Sequence, residues 1–184
     1  MREANDHLDP GEERFLLALA RRSIEKFLKT GTRLRPEAGS KKLSAERGAF
    51  VTLKVDDELR GCIGYPLPRK PLIETVAEMA VAAATQDYRF PPLRIEELPR
   101  TKIEISVLTL PTPVKEVKEI EVGRHGIIIS KGLSRGLLLP QVPGEYGWDL
   151  KTYLRHGCLK AGLEEDEWKK DARIEVFEAQ VFSE

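Results

Sequence analysis

The chain has 184 residues and carries 30 basic and 30 acidic side chains, so its formal net charge is zero. That length fits one domain, or two small lobes sharing a core, and an apolar share of 41% suits a folded chain better than a disordered one. Balanced charge gives no overall attraction to nucleic acid or an anionic membrane, and no apolar run approaches the roughly 20 residues of a membrane span.

The opening residues, Met1-Arg2-Glu3-Ala4-Asn5-Asp6, hold no apolar signal core, so a cytoplasmic protein is expected. Two cysteines make no disulfide framework. Only Asn5, Gln86, Gln141 and Gln180 carry side-chain amides while 33% of residues are charged, a thermophile-like composition. Hyperthermophile proteins do carry cytosolic disulfides, but no local pattern brings Cys62 and Cys158 together.

Asp9, Pro10 and Glu12 read as a helix start, with an acid at the cap, proline at the first position and glutamate at the third. Phe15, Leu16, Leu19, Ala20, Ile24, Phe27 and Leu28 then share one helical stripe, and Gly31 can close the helix. Residues 31–47 read as a long loop. Between 29 and 47 stand Lys29, Arg33, Arg35, Lys41, Lys42 and Arg47 against Glu37 and Glu46. A phosphate or nucleic-acid contact is one reading of that excess. A solvated loop is the simpler one, because no aromatics interleave with the charges.

Residues 50–55 and 59–65 read as a hairpin around Asp56-Asp57-Glu58. Regular alternation would set Leu59, Ile63 and Tyr65 on one face and Arg60, Cys62 and Gly64 on the other. Pro71 opens a helix to about residue 86, and its five alanines between 77 and 84 imply close packing on a sheet or helix. Residues 87–93, Asp-Tyr-Arg-Phe-Pro-Pro-Leu, are held extended by two prolines. In that stretch Phe90 and Leu93 serve as anchors while Asp87 and Arg89 project outward.

Residues 102–110 alternate as a strand. Residues 126–130 and 135–139 form a second hairpin with both faces covered, and residues 140–144 a rigid exit. Asp149 caps a helix over 150–160 with Cys158 on its apolar stripe, a short turn follows at 164–169 anchored by Trp168, and 173–182 is a last strand. Its apolar phase shifts between Val176 and Phe177, the mark of a bulge. The order of elements predicts an α+β fold, with mostly antiparallel sheets and flanking helices, in two lobes sharing a cleft.

Leu59-Arg60-Gly61-Cys62-Ile63-Gly64 combines a fixed charge, a thiol and two bare glycines. With Arg89-Phe90-Pro91-Pro92-Leu93, Leu139-Pro140-Gln141-Val142, Gly147-Trp148-Asp149 and Lys160-Ala161-Gly162-Leu163, it resembles the AMMECR-type family, named for the Alport syndrome and elliptocytosis chromosomal region. The likeness runs from about Phe15 to the end, with Tyr65 where the family often has threonine. It implies a single AMMECR-type domain over 1–184 built as two α+β subdomains, with the signature near a cleft. It implies no settled activity, and a partnership with Memo-type and radical-SAM proteins in some modification pathway.

Cys62 reads either as a nucleophile or redox thiol whose thiolate Arg60 favours, or as a small buried hydrophobe. Gly61 and Gly64 either bare their N–H groups to an anion, or mark a bulge or a close-packed helix, the alanine-rich 77–84 stretch. His125 reads as an acid or base beside Cys62, or as a loop histidine bonded to backbone. Cys158 is read as core. With only His7, His125 and His156, and no HExxH, CxxC or calcium loop, no metal site is expected. The leading expectation is a small-molecule or peptide-modifying protein. Its cleft would hold Arg60 and Cys62, with Asp87, Arg89 and His125 as neighbours. The alternative is a non-catalytic regulatory adaptor for protein or nucleic acid.

Overall fold

The computed structural model describes residues 7–37 and 39–184, and the reading of residues 1–6 as lacking a signal core lies outside them. The chain divides into two compact units, 1–108 with 180–184, and 109–179.

The first unit opens with α1 (Pro10–Thr30), started by a capping box in which the Asp9 carboxylate accepts from the Gly11 and Glu12 amides. Gly31, at φ +70°, closes it through a bond to the Phe27 carbonyl. Its buried stripe runs Leu16, Leu17, Leu19, Ala20, Ser23 and Ile24. Phe15, one step round the helix from that stripe, stays exposed instead of joining the core. The loop that follows contains one turn of helix, α2 (Lys41–Ser44), capped by the Ser40 hydroxyl on the Leu43 amide and held down by buried Leu43.

Strands β1 (Ala49–Val55) and β2 (Glu58–Tyr65) pair antiparallel around Asp56 and Asp57. Both aspartates have positive φ, as a two-residue hairpin turn requires. β3 (Thr101–Leu108) pairs with the far side of β1, and Ala49, Val51 and Leu53 stand opposite Val107, Ile105 and Ile103. These six side chains are buried and form one face of the core. Helix α3 (Leu72–Thr85) lies over that face, touching β1, β2 and α1. It is buried nearly all round, which explains why its sequence is apolar on more than one stripe.

In the second unit, β4 (Thr112–Pro113), β5 (Gly126–Lys131), β6 (Ser134–Leu138) and β7 (Arg173–Phe177) form an antiparallel sheet ordered β4-β7-β5-β6. The expected rigid exit at 140–144 instead contains α4 (Val142–Tyr146), with Pro143 inside its first turn, where proline costs no hydrogen bond. Helix α5 (Leu150–Lys160), capped by Asp149 on the Thr152 amide, packs on β5 and β6. Ile127, Ile129, Tyr153, Leu154, Cys158 and Ile174 make this unit's core.

The expected last strand is two strands. After β7 the chain breaks at Glu178 and continues as β8 (Ala179–Ser183), which joins the first sheet in the order β2-β1-β3-β8. The shift of apolar phase at Val176 and Phe177 marks this change of sheet and not a bulge. The fold is α+β, with one four-stranded sheet in each unit.

Cys158 is fully buried, and burial pushes its thiol pKa up. Truncation to alanine removes only the sulfur, so Cys158→Ala should cost about 1 kcal/mol, less than a leucine truncation. Urea unfolding checks this, and a loss above about 3 kcal/mol would mean that more than packing is removed.

Candidate functional site

The signature occupies β2, an edge strand of its sheet. Its pairing with β1 carries a bulge: Leu53 faces Gly61, but Lys54 faces Leu59, which leaves Arg60 as the extra residue. Beyond the bulge Cys62 stands opposite Thr52, and Gly64 opposite Phe50. The Thr52 hydroxyl lies 3.1 Å from Cys62 Sγ, and Cys62 is half-buried.

Both glycines are demanded by close approach. A Cβ on Gly61 would lie 2.2 Å from the Ala83 carbonyl oxygen of α3. A Cβ on Gly64 would lie 2.4 Å from the Phe50 ring, which covers the bare backbone of its cross-strand partner. The alanines of α3 and the glycine of β2 are therefore two halves of one contact between helix and sheet.

The outer edge of β2 is covered by side chains instead of another strand. The Cys62 amide donates to Asp87 Oδ2 at 2.9 Å. The Arg89 guanidinium grips the same carboxylate through Nε to Oδ1 at 2.9 Å and Nη2 to Oδ2 at 2.7 Å, and reaches the Cys62 carbonyl at 3.4 Å. One ion pair thus satisfies both outward backbone groups of Cys62, a local solution to an exposed sheet edge. Asp87 does not project outward as expected: its side chain is 2% exposed against 45% for Arg89. The Arg89 bonds, with backbone bonds from Cys62 and Arg89, hold the Asp87 carboxyl well below the usual range against the opposing effect of burial.

Arg60 serves a different contact. Its guanidinium donates to Glu97 at 3.1 and 3.3 Å and to the Pro91 carbonyl at 2.8 Å. Glu97 also accepts the Arg94 amide at 2.9 Å, and that bond, followed by Arg60, lowers its carboxyl pKa. Arg60 therefore staples the proline segment and the turn behind it to β2.

His125 lies in the second unit. Its Nδ1 accepts the Glu121 amide at 3.1 Å, which places the proton of the neutral ring on Nε2, 3.7 Å from Glu178. The carbonyl of His125 is 3.2 Å from the buried Tyr153 hydroxyl. The residues brought together are thus Cys62, Asp87 and Arg89, with Gly61 and Gly64 beside them on the same strand. Thr52 and Glu97 belong with them and were missed from sequence. A bulge in the hairpin hides the first, and the second is an acid in a turn with no motif.

The charge of the 29–47 stretch is largely spent. Lys29 pairs with Glu25, Arg33 with Glu78 and Lys42 with Glu12, and Arg47 is buried on the Leu108 carbonyl. Among the described residues no three His, Cys, Asp or Glu side chains gather as a metal site, and no helix is long and apolar enough to cross a membrane. A cleft of about 440 Å³ lies in the first unit between residues 33–36 and α3, lined by Arg33, Leu34, Arg35, Pro36, Glu74, Ala77 and Glu78.

Comparison with known proteins agrees with this architecture. A crystal structure of an uncharacterized protein from Pyrococcus horikoshii matches with a TM-score of 0.81 at 41% identity, over 96% of this chain and 93% of that one. A Methanopyrus kandleri protein is 52% identical over 96% of this chain and 89% of its own length. A Methanocaldococcus jannaschii protein is 47% identical over 94% and 90%. The AMMECR1 family profile matches residues 17–182, both units included, and the chain belongs to the AMMECR1 family.

Proposed function

We propose that this chain is a small-molecule or peptide-modifying protein of the cytoplasm whose working site is the β2 ribbon. Cys62 is the thiol presented there and Arg89 the anion contact. The observation that carries this reading is the setting of Cys62. Both outward backbone groups of Cys62 are held by the Asp87–Arg89 pair, its sulfur meets a hydroxyl, and the guanidinium beside it is 45% exposed. A fixed backbone and a neighbouring cation are what a reactive thiol requires. Arg60, occupied by Glu97, supports the ribbon and does not meet the ligand. Gly61 and Gly64 let Ala83 and the Phe50 ring close on the strand, which fixes the backbone on either side of Cys62.

Alkylation in the native protein, resolved by peptide and followed against pH, tests this. Cys62 should react well before Cys158, and Arg89→Gln should slow it about threefold by removing a neighbouring cation. Reaction of Cys62 only as fast as global unfolding would remove thiol chemistry from the site.

One observation favours a non-catalytic adaptor. Tyr88, between Asp87 and Arg89, is 95% exposed, and Leu59 at the start of the ribbon is 43% exposed. An aromatic displayed beside an arginine suits protein docking, and it is where a partner of the Memo or radical-SAM kind would bind. On that reading Tyr88→Ala abolishes partner binding while alkylation of Cys62 is unchanged.

A further inference from the structure

The 440 Å³ cleft between residues 33–36 and α3 has the volume of a small-ligand site. Leu34, Pro36 and Ala77 give it an apolar wall, and the remaining lining is charged. Glu78 is already saturated: it accepts the Tyr65 hydroxyl at 3.1 Å and Lys70 Nζ at 2.5 Å, and lies 3.5 Å from Arg33. Lys70 foremost holds its carboxyl below the usual range, so it stays an anion with partners of its own.

Two charges on the wall remain open. Arg35 and Glu74 are exposed, and neither side chain makes a hydrogen bond or ion pair with a described residue. Glu74 acts on Lys70 only through space. Each class of ligand meets this wall differently. A polyanion would face Glu74 and Glu78, and a polycation would face Arg33 and Arg35. An apolar molecule would leave both open charges without a partner. A small zwitterion alone complements an open cation and an open anion that line one partly apolar cleft.

We propose that this cleft binds a small zwitterion of the amino-acid class, a free α-amino acid or a dipeptide. Its carboxylate lies on the Arg35 guanidinium and its ammonium group on Glu74. A planar guanidinium suits a carboxylate through paired N–H bonds, and a side chain of the ligand covers Leu34, Pro36 and Ala77. The site touches the ribbon through the bond from Tyr65 to Glu78 and needs no reaction at Cys62.

Calorimetry and NMR titration of the full chain test this with each free L-amino acid and with glycylglycine, at up to about 10 mM, and with acetate and ethylamine as single-charge controls. At least one zwitterion should bind saturably. Arg35→Gln and Glu74→Gln should each weaken it about tenfold, as should replacing the ligand by either control. Both side chains are exposed and have no partner among the described residues, so both variants should melt like the parent. Three results overturn the proposal: no saturation by any zwitterion, binding unchanged in both variants, or binding tightened by Glu74→Gln, which would mark a plain anion site.

Discussion

Gly61→Ala should destabilise the first unit by about 3 kcal/mol, the upper end of overpacking costs. The added methyl would sit 2.2 Å from the Ala83 carbonyl oxygen, which belongs to helix backbone and cannot rotate away as a side chain tip would. Relief requires α3 to lift from β2 or the strand to bend, and α3 is also held by α1 and β1. Gly39→Ala supplies the control, because nothing lies within 4 Å of its Cβ position. That variant should stay within about 0.5 kcal/mol of the parent. For a chain of this size, a loss of 3 kcal/mol lowers Tm by about 6–12 °C. A melting curve for Gly61→Ala matching that of Gly39→Ala would mean that the glycine is not there for packing, and would return it to the anion-binding reading.

The second large effect belongs to Asp87. Asp87→Ala removes the acceptor of the Cys62 and Arg89 amides and the two bonds that the Arg89 guanidinium makes to this carboxylate. Breaking a fully buried pair costs about 3–5 kcal/mol. Arg89 is nearly half exposed and can turn to water, so about 2–3 kcal/mol is expected here, mostly from the stranded amides and the lost charged bonds.

The pH dependence has a definite sign. The Asp87 carboxyl is depressed in the folded chain and sits near 3.9 when unfolded. Its contribution is therefore fully present above about pH 4 and is lost as pH falls toward the folded value. Glu78 and Glu97 are depressed as well, so acid weakens the whole protein, and the informative quantity is the gap between parent and variant. Urea unfolding of the parent and of Asp87→Asn should show that gap widest at pH 7 and narrower at pH 3. An equal gap at both would show that the charge of Asp87 contributes nothing. Loss of this clamp should also loosen Cys62, so the Asp87 variants and the Arg89→Gln alkylation rate report on the same contact from two sides.

Most of the fold was legible because most of its elements are decided locally. A carboxylate at Asp9 or Asp149 and a buried stripe at period 3.6 define α1 and α5 whatever lies elsewhere in the chain. Alternation alone finds β1 and β3, since one face of each is covered and the other is not. The resemblance carried by the signature was legible for a different reason: six consecutive residue types are a pattern in themselves. What short-range rules missed were α2 and α4, each about one turn long and held by tertiary contacts, and the break that turns one last strand into two.

The candidate site divides along the same line. The sequence by itself determined that Cys62 sits on a strand among glycines with arginines near in the chain. It could not determine which way the thiol points. Counting back from the turn, with Val55 opposite Glu58, a regular hairpin would pair Cys62 with Val51, on the face buried under α3. The extra residue at Arg60 shifts the pairing by one and puts Cys62 opposite Thr52, on the other face. A one-residue slip reverses every side chain in a strand because the period is two. That bulge is held by Arg60 reaching Glu97, 37 residues away, and the edge by Asp87 and Arg89, 25 and 27 residues from Cys62. Contacts of that separation exist only once the strand, the alanine helix and the proline segment have packed. The tertiary structure alone therefore decided the face of the thiol and its neighbours.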